Sequence, residues 1–381
     1  MKVLLISPFS KPDVGGVESH LEKLTSYLCN KKQVDVTFVT YMPLASNDTP
    51  KKYEQFENME IIRMPWFGKN WFRKLESYFP LNMVYLFPGL FYKCLCIYLK
   101  RHQEFDVIHA HGFIAGAIAK FLKMYKDKRT VISTHAIYSL KEGTLKAKVF
   151  KWLLSDFDAI LAVGEPSLQE IIKIGIPSDR VKVHPNWIDV DAYHPEDKDK
   201  ARLVLGLKRD DFIVLFVGRM IGIKGELLLL DAARKSSEDI TYVFVGSGPE
   251  SSKIRDEAAI NKKIVFLGKV PDEQMNLTYA SADLFVSPVL YDEGFATVYL
   301  EALASGVPVI TARRGCLPYF LDNEISELID HVSVASVQDA IEKHYKKREL
   351  LVKKRRECRS YAERYFSERN AEIIYDSYGA K

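Results

Sequence analysis

Short apolar runs of strand length alternate with stretches of helical periodicity along most of the chain, and this alternation restricts the fold more than any other property. The runs fall into two series. Val3–Ser7, Val34–Thr40, Asp106–His109, Thr130–Ser133 and Ala159–Val163 form the first; Phe212–Val217, Thr241–Val245, Ile264–Leu267, Leu284–Ser287 and Val307–Ile310 form the second. Such runs suit strands covered on both faces, the condition of parallel sheets built from βα units. Each series predicts one doubly wound α/β domain, and 381 residues is the length of two ordinary domains. A polar, proline-marked stretch from Val183 to Lys200 separates them. The expected division is 1–185, 186–360 and a C-terminal helix over 361–381. Ligands of parallel sheets sit at the carboxyl ends of strands, so two such domains facing a cleft would hold a substrate there.

Formal charge is +4 overall, too mild to announce a nucleic-acid partner, but it is unevenly placed. Residues 1–185 carry 26 Lys and Arg against 18 Asp and Glu, and residues 186–381 carry 28 against 32. Residues 343–359 alone hold nine basic and two acidic side chains. The cysteines, Cys29, Cys94, Cys96, Cys316 and Cys358, are odd in number and follow no metal-ligand spacing, which predicts a reducing, cytoplasmic compartment. The apolar run near Met1 is only Val3 to Ile6, better read as a buried strand than as a signal peptide.

Residues 66–98 hold eleven aromatics, among them Trp66, Trp71, Phe79, Tyr85, Phe87, Phe91 and Tyr98. Tyr78 to Leu99 is long enough to cross a bilayer, yet Asn82 and Lys93 interrupt it, and Pro80 and Pro88–Gly89 are expected to break it. Two readings stand: helices buried in the first domain, or, with Lys69, Arg73, Lys74, Lys100 and Arg101, a surface for an anionic membrane or a lipid-linked acceptor.

Four motifs carry chemistry. Gly15 and Gly16 precede Val17, Leu21, Leu24 and Leu28 at helical spacing, so they stand at a helix N-terminus where free N–H groups and the dipole favour an anion. The alternative is a turn that merely needs glycine. Phe216-Val-Gly218-Arg219 through Lys224-Gly225 follows the first strand of the second domain; a planar guanidinium and an ammonium five residues apart can grip a diphosphate, or be solvated surface cations. Glu293-Gly294-Phe295-Ala296-Thr297-Val298 to Glu301 brackets a helix start. There Glu293 can accept from sugar hydroxyls, Glu301 from a second polyol such as ribose, and the Thr297 and Val298 amides can face phosphate. An acid at a helix dipole plus an unrelated surface glutamate is the plainer account. Finally, His111 and His135 follow strands of the first domain, His111 being the stronger catalytic candidate, and His109 is expected to point the other way into packing. GxxxxGK[ST], GxSxG, HExxH and a strand-borne GxGxxG are absent.

In order, GGVE at 15–18, HAHG at 109–112, PNWID at 185–189, VGRxxxxKG at 217–225, VGSGP at 245–249, FLGKVP at 266–271 and EGFxxxxxEALAxGVPVI at 293–310 resemble the family 4 glycosyltransferases, retaining enzymes of the two-domain GT-B fold. Pro12 to His20 is also similar to the catalytic subunit that adds N-acetylglucosamine to phosphatidylinositol. The resemblance implies two Rossmann-like domains, the first binding the acceptor and the second a nucleotide-sugar donor, with the last helix returning to the first. It implies a UDP-linked hexose or N-acetylhexosamine moved to a lipid-linked or glycan acceptor, without cofactor or metal. Catalytic roles fall on His111, Glu293, Arg219 and Lys224. Donor contacts fall on Gly15, Gly16, Gly218, Arg219, Lys224, Gly268, Val270, Glu293, Gly294, Phe295, Thr297, Val298 and Glu301; Glu18, His20 and His135 are assigned to the acceptor side. A GT-B UDP-GlcNAc epimerase and a non-catalytic sugar-nucleotide subunit are the rival readings. Ala296 stands where the family often has glycine, and Gly315-Cys316-Leu-Pro318-Tyr319 where it has Gly-Gly-x-Pro-Glu.

Overall fold

A computed structural model of the chain describes residues 1–13, 15–68, 71–75 and 78–379, with the backbone alone for residues 72, 73, 79 and 80. Val14, Lys69 and the side chains of Arg73 and Phe79 therefore lie outside the described residues. The chain forms two units, Met1–Asn186 with Asn370–Lys381, and Trp187–Arg369.

In the first unit the described strands are β1 (Lys2–Ile6), β2 (Asp35–Tyr41), β3 (Tyr53–Gln55), β4 (Met59–Met64), β5 (Val107–His111), β6 (Arg129–Ser133), β7 (Ala159–Ala162) and β8 (Val181–Val183). They make one sheet in the order β3-β4-β2-β1-β5-β6-β7-β8. Only β3 runs antiparallel to its neighbour. Val3, Leu4, Leu5 and Ile6 are wholly buried, as a central parallel strand requires. Leu4 sits opposite Thr37 of β2 on one side and Ile108 of β5 on the other. The chain winds outward from β1 and then returns to β5, so the loops leaving β1 and β5 diverge at a topological switch point. Those loops lead to Gly15–Gly16 and to His111–Gly112.

The helix expected to break at its prolines runs unbroken from Phe79 to Arg101. Pro80 lies in its first turn, where a missing N–H costs nothing. At Pro88 the Tyr41 hydroxyl enters the helix: it donates to Leu86 O at 2.7 Å and accepts from Leu90 N at 2.7 Å. One buried phenol thus replaces the local backbone bond, and the helix continues.

The second unit holds β9 (Phe212–Val217), β10 (Ile240–Val245), β11 (Ile264–Gly268), β12 (Leu284–Ser287), β13 (Val309–Ala312) and β14 (Ser326–Ile329). Their order is β11-β10-β9-β12-β13-β14, all parallel, with the switch point between β9 and β12. The basic stretch at 343–359 falls partly on a helix, Leu351–Tyr365, whose Cys358 and Ala362 are buried. Its Arg359 donates to the carbonyls of Val190 and Tyr193 at 2.8 and 2.6 Å, so one of these charges is a backbone clamp.

That helix ends at Tyr365, and the expected C-terminal helix is divided: Arg369–Ser377 is a separate helix. Residues from Asn370 belong to the first unit. There Tyr378 Oη meets His109 Nδ1 at 2.7 Å, Arg129 Nε donates to Ser377 O at 2.8 Å, and Lys32 pairs with Glu372 at 2.6 Å.

Candidate functional site

In the second unit, the loops after β9 and β12 are locked together by Gly225. Its φ of 86° is left-handed, and a Cβ there would stand 2.2 Å from Pro288 O. Leu290 N also donates to Ile223 O at 2.9 Å. This junction delivers Lys224 to Tyr291 and Glu293: its ammonium lies 2.5 Å from Tyr291 Oη and 2.6 Å from Glu293 Oε2. The Tyr291 hydroxyl donates to the same carboxylate oxygen. Burial, and then the Glu293 charge, push the Tyr291 phenol far above its ordinary range, so it remains a donor at any physiological pH. Lys224, Tyr291 and Glu293 form one closed charged triad.

Two further glycines shape this floor. A Cβ on Gly246 would lie 1.9 Å from Gly218 O, and one on Gly248 would lie 2.2 Å from Met220 O. The Gly246-Ser-Gly248 turn, too short for a dinucleotide fingerprint, therefore supports the backbone around Arg219. Arg219 itself is exposed. On the far side Gly315, with φ 56°, lets Cys316 N donate to Glu293 O at 2.9 Å. The loop that departs from the family pattern thus fixes the glutamate's backbone.

The helix Thr297–Ala304 has Ala296 at its N-cap and no side-chain cap, so no side chain caps the amide end. Glu301 accepts from the buried Tyr279 hydroxyl at 2.7 Å, which fixes one carboxylate oxygen. Phe295 is placed differently from a ligand-facing side chain: its ring stacks 4.0 Å from Phe320 and meets Phe366 edge-on at 5.6 Å. Its backbone is what it can offer. Gly268, with φ 66°, and the buried Val270 stand at the carboxyl end of β11, on the same sheet edge as the other residues.

Sequence reasoning passed over Glu226. It is wholly buried at the start of helix Glu226–Lys235, and its carboxylate accepts from Gly222 N at 2.5 Å. Burial raises its pKa. Its place directly after Lys224-Gly225 was the available signal, because an acid at that helix start can hold the preceding turn.

In the first unit Gly15 caps the helix Gly16–Ser26. A Cβ on Gly15 would come 2.4 Å from Glu18 Oε2, so the Glu18 carboxylate folds back over the helix start. Gly16 differs: it has no left-handed φ, and among the described residues nothing lies within 4 Å of where its Cβ would stand. Neither backbone strain nor packing demands glycine there.

Beside this helix lies a cluster of histidine rings. His20 Nδ1 is 2.8 Å from Asn186 Oδ1, and His111 Nδ1 is 3.0 Å from His135 Nε2. The His111 and His135 rings stack, and His184 meets His20 edge-on at 5.4 Å. His109 corrects the expectation of opposite direction. Residues two apart on a strand share a face, and its ring lies 4.2 Å from that of His111. Both of its nitrogens are engaged, by Tyr378 Oη and by Ser133 Oγ at 2.9 Å. His111 Nε2, by contrast, is buried with no hydrogen-bond partner among the described residues. Burial is the leading cause that lowers every ring in the cluster: His135 to about 4, His184 to about 3, and His20, His109 and His111 well below 6.5. All are neutral imidazoles at pH 7. His20, His111 and His135 each place one nitrogen within 4.8 Å of the others, a donor set of the kind transition metals take.

Comparison with known proteins fits this arrangement. Residues 14–192 match the model for Glycosyltransferase Family 4, and residues 197–365 that for glycosyl transferases group 1. The D-inositol 3-phosphate glycosyltransferase of Mycolicibacterium smegmatis is 29% identical over 260 residues, 62% of this chain and 59% of that relative. The chain thus spans under two thirds of that relative's length. The phosphatidylinositol N-acetylglucosaminyltransferase GPI3 subunit of Saccharomyces cerevisiae is 23% identical over 353 residues, 90% of this chain and 74% of the yeast protein. Among solved structures, sucrose-phosphate synthase from Thermosynechococcus elongatus superposes with a TM-score of 0.82 at 20% identity, covering 99% of this chain and 98% of its own. With both halves matched in order and each unit built on a Rossmann-like parallel sheet, the chain is a glycosyltransferase and belongs to family 4, with the GT-B fold.

Proposed function

We propose that the protein transfers a hexose or N-acetylhexosamine from a nucleoside diphosphate sugar, UDP-linked, to a lipid-linked or glycan acceptor with retention of configuration. The Lys224–Tyr291–Glu293 triad carries this reading. A lysine paired to a nearly buried carboxylate at a parallel-sheet switch point is poised to re-pair with incoming phosphate, which frees the glutamate to accept from sugar hydroxyls. Arg219 and the uncapped amides of Thr297 and Val298 supply further positive potential for the leaving diphosphate, without a metal. Glu301, steadied by Tyr279, suits the ribose hydroxyls. In the first unit, the exposed Gly16 at a helix start admits close approach of an anionic group, and His111 Nε2, buried and without a partner among the described residues, would have to be uncovered to meet a sugar hydroxyl. With the departing phosphate oxygen taking the acceptor's proton, no strong protein base is needed. The neutral histidines agree with that. A cytoplasmic site of action belongs to the same reading and rests on the odd number and the spacing of the five cysteines.

The deciding experiment is calorimetric titration and turnover with a panel of nucleotide sugars. Lys224→Ala is expected to weaken nucleoside diphosphate binding by about tenfold to a hundredfold, the worth of a charge-assisted contact. Glu293→Gln is expected to keep that binding and lose transfer. Unchanged activity in both variants refutes the assignment. Conversion of the sugar nucleotide without any acceptor would instead identify an epimerase.

A further inference from the structure

We propose that the first unit docks on anionic lipid bilayers through a face made by three of its helices, Phe79–Arg101, Gly112–Tyr125 and Leu145–Leu154. A surface helix ordinarily turns its polar residues outward. Here Leu81, Val84, Pro88, Tyr92 and Leu99, spaced three to seven residues apart, are the outward row of the first helix. Val84 is 71% exposed and Tyr92 63%. The stretch Leu81–Glu104 is apolar enough by composition to cross a membrane, yet only 33% of its most apolar window is buried.

The exposed row continues onto the neighbouring helices. Phe121 lies 6.0 Å from Phe87 and 5.7 Å from Phe91, and Trp152 lies 6.4 Å from Phe121. One turn from Phe121 stand Met124 and Tyr125, and on the third helix Leu145, Val149 and Trp152 share one side; Met124 and Leu145 are 70% and 78% exposed. An apolar surface this continuous marks an interaction site.

Charge selects the occupant. The three helices contain eight basic residues and no acidic one. Lys100, Lys146, Lys148 and Lys151 are exposed around the apolar row. Of the acids beside the patch, Asp156 is engaged by Lys120 at 2.6 Å and Asp158 by Lys123 at 2.8 Å, while Asp127 and Glu142 are exposed at its margin, beyond the ends of the helices. Aromatics and leucines on helices whose charged residues are all basic match the interface of a bilayer with anionic headgroups. The face does not depend on which sugar is transferred, so its test leaves the glycosyltransferase reading untouched.

Flotation with phosphatidylcholine vesicles, with and without phosphatidylserine or phosphatidylglycerol, reads the proposal directly. The full chain is expected to float with anionic vesicles, and less so as salt rises. Val84→Glu/Tyr92→Glu, both exposed and so compatible with folding, is expected to lose binding. Lys148→Glu/Lys151→Glu is expected to reduce it by about tenfold or more. Thermal melting and UDP binding of both variants serve as folding controls. Equal flotation with neutral and anionic vesicles, no flotation of the wild type, or undiminished flotation of both variants overturns it. So does a concentration-dependent dimer abolished by Val84→Glu/Tyr92→Glu, which would make a second copy the occupant.

Discussion

Tyr291 shares its hydroxyl with both charges of the donor-side triad, so the residue scale offers a milder probe than removing a charge. Tyr291→Phe keeps the ring, which lies 5.0 Å from the Lys224 ammonium, and deletes only the bridge. Turnover should fall severalfold while the melting temperature drops by an amount equivalent to about 1 kcal/mol. A variant indistinguishable from wild type in both would show the bridge to be idle. The histidines make a second prediction. Unfolded rings titrate near 6.5, whereas burial holds His135 at about 4 and His184 at about 3. Below pH ~6.5 the unfolded chain takes up protons that the folded one refuses. The cluster's contribution is therefore complete above that pH and declines toward pH 4, by up to ~1.4 kcal/mol per pH unit for each ring. Urea midpoints measured from pH 7 to 4.5 should fall, and less steeply in His135→Asn; a flat wild-type curve would contradict the neutral cluster. That Lys224 and Glu293 follow buried strands and that Glu301 lies on the next helix was legible in the sequence. The pairings of Asn186 with His20 and of Tyr279 with Glu301 were not, since only the folded topology brings residues 166 and 22 positions apart together.

Loops and helices add their own tests. Gly225→Ala forces a left-handed residue against Pro288 O and should abolish nucleotide binding together with the junction of the β9 and β12 loops. Gly16→Ala is the converse: with open space around it and alanine favoured in a helix, the melting temperature should hold or rise while turnover falls. Unchanged turnover there would reduce Gly16 to a turn residue. Tyr41→Phe should cost about 1–3 kcal/mol by urea denaturation, because Leu86 O and Leu90 N are buried and lose their partner. This splice explains why the proline rule failed at Pro88: a phenol 47 positions earlier in the chain cannot be seen in a local window. The strands missed in the sequence share a cause. β3 and β8 are three-residue edge strands, β4 reads Met-Glu-Ile-Ile-Arg-Met with only Arg63 buried, and β14 reads Ser-Glu-Leu-Ile, so none shows a buried apolar run.

Over the whole molecule, the two sheets were readable because each central strand is a run of buried apolar residues, whereas the division of the chain was readable only in outline. The segment after Arg369 counts with the first unit and ties down β5 through His109 and β6 through Arg129. Deleting residues 370–381 should lower amide protection in Val107–His111 and Arg129–Ser133 and leave β9 to β14 as they were, by hydrogen exchange mass spectrometry. Equal protection would detach the tail from the core. This discontinuity also orders events on the ribosome. Synthesis delivers the strands of the first unit early, but Tyr378, which meets the His109 ring, emerges only after all 183 residues of Trp187–Arg369. The second unit, uninterrupted in the chain, can complete its sheet during translation while the first waits for its closing helix, so the half that began first is the last to be sealed.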